Sequence, residues 1–356
     1  MSKIIENDDY IEIITNKFKM KSKMAAFDLD GTLIKTKSGK PYPIDEEFDW
    51  QFNYPNIKEV LEEYINNDYC IMIISNQKNL KNRGITEWCN KVKEIIKQLD
   101  IPIKVYVSIL DNIYRKPNIG FLEFFKNKIN LNESFYCGDA MGRINDHADT
   151  DLKFAINCNL KFYAPEKIFL NKNIKINMNL DYFNFNNFEK KSNKIEFYVD
   201  KPLDLIIFVG FPGSGKSTFI SKNLIQNNYN VISQDILKTK SKCLKLCEQY
   251  MHDKKKIVID NTNPSIEVRK EYIELAKKYN YNVRCFHMNT NENHARHNCM
   301  YRYLYQNKSQ IPGLVFNIFK KKYEKPSIKE GYYEVLNIEP ELPSKTTDSN
   351  YYFYLY

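Results

Sequence analysis

Two short stretches, one in each half of the 356-residue chain, carry residue types suited to phosphate chemistry. Asp28 and Asp30 stand two apart, just before Gly31 and Thr32, at the end of an apolar run. One carboxylate so placed can attack phosphorus and give an aspartyl-phosphate, while the other protonates the departing alkoxide and then activates water. Gly210 opens the second stretch, and Phe211, Pro212, Gly213, Ser214, Gly215, Lys216, Ser217 and Thr218 complete it. Its glycines let backbone N–H groups turn toward a β-phosphate, Lys216 reaches the β and γ oxygens, and Ser217 offers a ligand to Mg2+. The first stretch suits removal of a phosphate; the second suits its transfer from a nucleotide such as ATP.

Further residues sit where each chemistry needs them. Ser75 and Asn76 end the next buried run, where a hydroxyl and an amide can hold phosphate oxygens. Lys116, between Arg115 and Pro117, supplies a cation for developing charge. Asp139, after Gly138, offers a third carboxylate to Mg2+, an ion that prefers hard oxygen ligands. Asp151 is a further acidic candidate, with a solvated loop carboxylate as the other reading. In the second half, Asp235 can orient or deprotonate an attacking hydroxyl, cap the helix that starts there, or do both. Asp260 ends an apolar run, as the metal-orienting carboxylate of a phosphate-loop enzyme would. Arg296 and Arg302 lie on a polar helix, where small kinases carry lid arginines; an exposed basic face is the alternative.

The elements that position these residues alternate between strand and helix. In the first half, strands are expected at 24–27, 70–74, 104–107 and 134–137, and helices at 57–66 and 86–98. In the second half, strands are expected at 205–209, 230–233, 256–259 and 283–288, with helices at 216–226, 265–279 and 291–305. Such alternation predicts an α/β protein whose sheets present ligands at the carboxyl ends of their strands. Residues 1–22 read as a short polar leader with at most one helical turn or strand, and 23–170 as the first domain. Residues 171–200, rich in Asn, Lys and Phe, read as a connector that packs between the domains, and 201–340 as the second domain. The tail, 341–356, ends Tyr-Tyr-Phe-Tyr-Leu-Tyr and is expected to dock on a domain surface.

Composition narrows the class. With 43% hydrophobic residues the chain is expected to pack rather than stay disordered. A net charge of +9 suits an anionic partner, although a solvated lysine-rich surface gives the same number. Eight cysteines show no paired framework and read as reduced thiols of an intracellular protein, nuclear or cytoplasmic. No stretch of eighteen consecutive apolar residues is present, so no membrane span is expected.

Asp28-x-Asp30-Gly31-Thr32, Ser75-Asn76, Lys116 and Gly138-Asp139, in that order, resemble the haloacid-dehalogenase superfamily. The resemblance implies a Rossmannoid phosphatase with Asp28 as nucleophile, Asp30 as acid–base, Mg2+ among Asp28, Asp30 and Asp139, and Ser75 and Lys116 as phosphate stabilisers. Taken with the phosphate loop, the whole chain resembles the eukaryotic-type polynucleotide kinase 3′-phosphatase family. Ser38-Gly39-Lys40, Asp49-Trp50, Tyr54-Pro55, Asn76-Gln77, Arg115-Lys116-Pro117 and Gly138-Asp139-Ala140 carry it in the first half. Asp260-Asn261-Thr262-Asn263-Pro264 and Ala295-Arg296-His297-Asn298 carry it in the second. It implies a P-loop kinase behind the phosphatase, with hydrolysis of 3′-phosphates and phosphorylation of 5′-hydroxyls on DNA, or on RNA, from ATP. A ligase would follow, and a monomer is expected.

Two positions depart from the family pattern: Gln234 stands where an arginine is usual, and residues 78–84 lack the glycine-rich spacing. The leader is too short for the forkhead-associated module found in many relatives, so recruitment by that route is not expected. The competing readings are a fused pair of small-metabolite enzymes and a catalytically silent end-binding protein.

Overall fold

The computed structural model describes residues 2–177 and 203–343, together with Leu180, Phe183, Phe185, Phe188 and Tyr351. The remaining connector positions and most of the aromatic tail lie outside the described residues. The chain divides into two compact α/β units, the first ending at Leu180.

The first unit is built on a sheet in the order β1-β2-β7-β6-β3-β8-β9. Its strands are β1 (Ser2–Glu6), β2 (Tyr10–Thr15), β3 (Lys23–Phe27), β6 (Tyr69–Asn76), β7 (Ile103–Ser108), β8 (Phe135–Cys137) and β9 (Lys161–Tyr163). A small separate ladder pairs β4 (Ile34–Lys35) with β5 (Gln51–Phe52). From β7 to β9 the sheet is parallel, and apolar side chains alternate between two cores as the pleat requires. Ala25, Phe27, Ile71, Ile73 and Val105 face one core. That side is covered by α1 (Ile57–Asn66), α3 (Ile85–Leu99), which follows the single turn α2 (Leu80–Arg83), and α5 (Pro165–Leu170). Met24, Ala26, Met72, Ile74 and Tyr106 face the other core, under α4 (Thr150–Asn157) and the 3-10 turns that include Leu122–Phe124.

The expected leader is instead part of this sheet. β1 and β2 form an antiparallel hairpin whose second strand pairs with β7. Ile11 and Ile13 enter the core while Tyr10 and Glu12 stay half-exposed, the period-two pattern of a strand buried on one face.

The second unit is an all-parallel sheet in the order β11-β12-β10-β13-β14. Its elements follow the chain as β10 (Asp204–Val209), α6 (Lys216–Asn223), β11 (Asn230–Ile232), α7 (Gln234–Leu237), α8 (Lys240–His252) and β12 (Ile257–Ile259). They continue as α9 (Ile266–Lys278), β13 (Asn282–Met288), α10 (Glu292–Tyr305), α11 (Gly313–Lys322) and β14 (Glu334–Ile338). The expected helix 216–226 ends at Asn223 and gives way to a 3-10 turn at Ile225–Asn227. Leu205, Ile207 and Val209 face a core shared with α8 and α9, and Ile206 and Phe208 face one shared with α6. Side chains of Thr239, Ser265 and Asn291 accept the first-turn amides of α8, α9 and α10 and so fix where those helices start. No helix among the described residues is long and apolar enough to cross a membrane.

Candidate active sites

In the first unit, the ends of three adjacent parallel strands bring the chemistry together. Asp28 follows β3, and its amide donates to the Cys137 carbonyl at 2.8 Å, so its backbone is still held by the sheet. Asp139 follows β8, next to β3. Gly31 lies at φ +82°, and a Cβ there would sit 2.4 Å from an Asp139 carboxylate oxygen. Only glycine meets both demands. Thr32 Oγ1 donates to Asp139 Oδ1 at 3.1 Å and closes the turn.

Lys116 is the hub. Its buried ammonium donates to Asp28 Oδ1 at 2.6 Å, to Tyr136 Oη at 2.6 Å and to Asp151 Oδ1 at 2.8 Å. Asp151 lies in the first turn of α4 and is buried, and its other oxygen accepts the Ala140 amide at 3.0 Å. It is a built part of the site and not a solvated loop carboxylate. Asp28, Asp139 and Asp151 can each bring one oxygen within 4.8 Å of the others, a grouping able to hold a cation. The Asp30 side chain, expected among the metal ligands, is not in that group; it is exposed and accepts from Gln77 Nε2.

Electrostatics fit the same picture. Burial raises the Asp28 carboxyl well above its ordinary range even with Lys116 beside it, and Asp151 and Asp139 push the same way. Burial, then the Asp151 charge, lifts Asp139 to about 6. Burial works against the Lys116 charge, but Asp151 and Asp28 more than offset it and hold its pKa above the usual value. Crowded, partly desolvated carboxylates of this kind are relieved by a divalent cation.

Asn76, expected on phosphate oxygens, is engaged elsewhere. Its amide accepts from the Lys116 backbone N at 2.9 Å and donates to the Lys116 carbonyl at 3.0 Å. It places Lys116, the lysine expected with Ser75 to stabilise phosphate. Ser75 is buried, and its Oγ accepts from Gln77 Nε2 at 3.1 Å. Gln77 entered the sequence reading only as part of the family resemblance, with no role assigned to it. It is buried, touches both Asp30 and Ser75, and accepts from Arg83 at 2.8 Å. Arg83 also pairs with Glu46 at 3.0 Å, and Glu46 takes Lys91 at 2.7 Å. Asp49 orders the loop before β5 by accepting from the Ser38 hydroxyl and the Ser38 and Ile44 amides. Those bonds, led by the Ser38 hydroxyl, hold its carboxyl down at about 2.

In the second unit the phosphate loop runs from β10 into α6. Gly213 and Gly215 lie at φ +75° and +98°, which the inward turn of the backbone requires. Lys216 is buried and folds over the loop, donating to the carbonyls of Phe211 at 2.7 Å and Gly210 at 3.1 Å and to Ser214 Oγ at 3.3 Å. Burial lowers its pKa to about 8. Ser217 Oγ donates to Asp260 Oδ2 at 2.7 Å, which joins the loop to the end of the neighbouring strand β12. Thr218 follows in the first turn of α6.

Asp235 sits in the first turn of α7, exposed. Ser233, not Asp235, holds the cap position, so the capping alternative falls away. Its charge, like that of Asp260, acts on Lys216. Arg296 and Arg302 both lie on α10. Arg296 is held by Glu292, with Nε at 2.8 Å, and lies over the Phe316 ring at 4.3 Å; Arg302 is exposed, and its charge acts on Lys216.

Two strand-end phosphate centres in one chain define a two-domain phosphoryl-handling protein, and comparison with known proteins makes the class specific. The family model described as Polynucleotide kinase 3 phosphatase matches residues 23–169, and an AAA domain model matches 205–326. The Bifunctional polynucleotide phosphatase/kinase of Schizosaccharomyces pombe is 39% identical over 339 residues, covering 92% of this chain and 81% of that protein. The Putative bifunctional polynucleotide phosphatase/kinase of Acanthamoeba polyphaga mimivirus is 34% identical and covers 92% of this chain and 88% of that one. The Polynucleotide 3'-phosphatase of Saccharomyces cerevisiae is 30% identical over a match covering 40% of this chain and 86% of its own. The chain belongs to the bifunctional polynucleotide phosphatase/kinase family.

Proposed function

We propose that this chain heals nucleic-acid ends, hydrolysing 3′-phosphates in its first unit and phosphorylating 5′-hydroxyls from ATP in its second. The observation that carries the first half is the Lys116 ammonium held between Asp28 and Asp151, beside an Asp139 that only Gly31 lets approach. Asp28 attacks the phosphorus, its Oδ–P bond forms, and the bond to the 3′ oxygen breaks. Asp30 gives that oxygen a proton. Water then attacks the same phosphorus, Asp30 takes its proton, and Asp28 is released with free phosphate. Lys116 keeps the nucleophile oriented throughout, and Gln77 holds Asp30.

Mg2+ fits the oxygen set of Asp28, Asp139 and Asp151 and would supply positive charge for the phosphate oxygens. In the second unit the loop glycines, Lys216 and Thr218 cradle the triphosphate, and Ser217 with Asp260 offers the oxygens for a second Mg2+. The 5′ oxygen attacks the γ-phosphorus, the bond to the β–γ bridging oxygen breaks, and Asp235 takes the hydroxyl proton. Arg302, exposed and with its charge acting on Lys216, is our choice for the α10 arginine that meets the transferring group, while Arg296 is held by Glu292. Strands left with a 3′-hydroxyl and a 5′-phosphate are what a ligase consumes. Eight unpaired, buried cysteines support an intracellular setting.

The test is an end-processing assay on matched DNA and RNA strands bearing a 3′-phosphate and a 5′-hydroxyl. Asp28→Asn is expected to reduce 3′-phosphate release by about 10³-fold or more while 5′ phosphorylation continues, and Lys216→Ala to do the reverse. A folded wild-type chain that leaves both ends intact, or that works only on small phosphomonoesters, would overturn the reading.

A further inference from the structure

Tyr351 is buried against α10, with only 3% of its surface exposed, far along the chain from the phosphate loop. Its hydroxyl donates to Asn298 Oδ1, and Asn298 Nδ2 donates to the Gly213 carbonyl at 2.8 Å. Gly213 itself is pressed onto the same helix: a Cβ there would meet the Ala295 carbonyl at 2.4 Å and Cys299 Sγ at 2.5 Å.

The donors and acceptors leave little freedom. A carbonyl only accepts, so the Asn298 NH2 must face Gly213 and its oxygen must face Tyr351. The Tyr351 hydroxyl therefore donates, and its oxygen is open to His294 Nε2 at 2.9 Å, which must carry the proton. The Tyr351 carbonyl likewise accepts from His297 Nε2 at 2.8 Å. Aromatic rings close the pocket: Phe183 stacks on His294 at 4.0 Å, and Phe185 stands edge-on to His297 at 4.9 Å. The result is a directed chain from His294 through Tyr351 and Asn298 to the turn of the phosphate loop.

We propose that Tyr351 is a positioning residue for the nucleotide site, fixing Asn298 so that it holds the Gly213 turn in its phosphate-binding shape. The inference rests on the reading of that loop as the ATP site. It gives Tyr351 a role of its own: one side chain of the aromatic tail braces a loop formed more than a hundred positions earlier.

The experiment compares wild type with Tyr351→Phe, which keeps the ring and removes only the hydroxyl, in the full-length chain. ATP affinity is read by calorimetry, 5′ phosphorylation by initial rates, and 3′-phosphate release by the same preparation serves as the folding control. Tyr351→Phe is expected to weaken ATP affinity and kcat/KM for ATP by about tenfold, with 3′-phosphate release unchanged. Asn298→Ala should cost at least as much, and adding Tyr351→Phe to it should cost nothing further, because both act through one chain of bonds. Wild-type ATP affinity in Tyr351→Phe, additive losses in the double variant, or a lowered melting temperature with ATP parameters intact would each overturn the proposal. A wild-type chain that binds ATP yet phosphorylates no 5′-hydroxyl sinks the kinase reading instead, and leaves the Tyr351 comparison readable in the affinity.

Discussion

Gln77 shows how one uncharged side chain can set the geometry of a charged one. The Arg83 guanidinium can only donate, so it fixes the Gln77 oxygen toward itself and turns the NH2 group toward Asp30 and Ser75. Asp30 is exposed, and this contact is what restrains it. Gln77→Leu is therefore expected to lower kcat for 3′-phosphate release about tenfold with little change in KM, since a positioning bond acts mainly beyond the ground state. Gln77→Glu should be worse, because it sets a second carboxylate against Asp30. Steady-state rates on a 3′-phosphorylated oligonucleotide decide both, and an unchanged kcat in Gln77→Leu removes the assigned role. Asp28, Asp139 and Lys116 were legible from type and spacing alone. Gln77 was not, because a glutamine after a strand is ordinary until the fold brings a cation to one side and a carboxylate to the other. Asp151 could be seen in the sequence only as one of two readings, since nothing in Asp149-Thr150-Asp151 says that it turns inward to Lys116.

Among the elements, α10 packs on the phosphate loop at Gly213 and carries Arg296, Arg302 and two buried histidines. Burial, and for His294 its neighbour His297, holds the imidazoles far below their ordinary value, at about 3 and about 4. For His297, the bond to the Tyr351 carbonyl only partly offsets the effect of burial. Both are thus neutral in the fold. A depressed histidine favours the folded state fully above about 6.5, and that contribution is lost progressively as pH falls toward the folded values. The second unit should accordingly lose thermal stability between pH 6.5 and pH 4. Replacing both histidines by Gln should shrink the difference in melting temperature between pH 7 and pH 5; an undiminished difference would show that other groups govern it. Strands β3, β6 and β10 were legible because each is a continuous apolar run ending in residues with evident chemistry. The β1–β2 hairpin was not, because short strands buried on one face offer few apolar residues to set the period. Helices α8 and α11 and strand β14 were not among the elements expected from the sequence.

For the whole molecule, the charge of +9 acquires a use if its partner is a polyanion. Binding a strand through several phosphates releases condensed counterions, so KM for an oligonucleotide should rise steeply with salt, with a log–log slope of about 0.7 per phosphate contacted. Hydrolysis of a small aryl phosphate by the same Asp28 centre should be nearly indifferent to salt. Equal salt responses for the two substrates would favour a small-metabolite enzyme. The two-unit order and the α/β class were readable from the motifs and the alternation around them. Which surface meets the strand was not, because lysines are spread along the whole chain.

The eight thiols divide evenly. Cys70, Cys89, Cys137 and Cys158 belong to the first unit, and Cys243, Cys247, Cys285 and Cys299 to the second; all are buried. Burial also raises every one of their pKa values, so none is an attractive target for alkylation while its half stays closed. Each catalytic half thus carries its own set of four latent sulfhydryl reporters, silent in the native molecule and exposed only when that half opens.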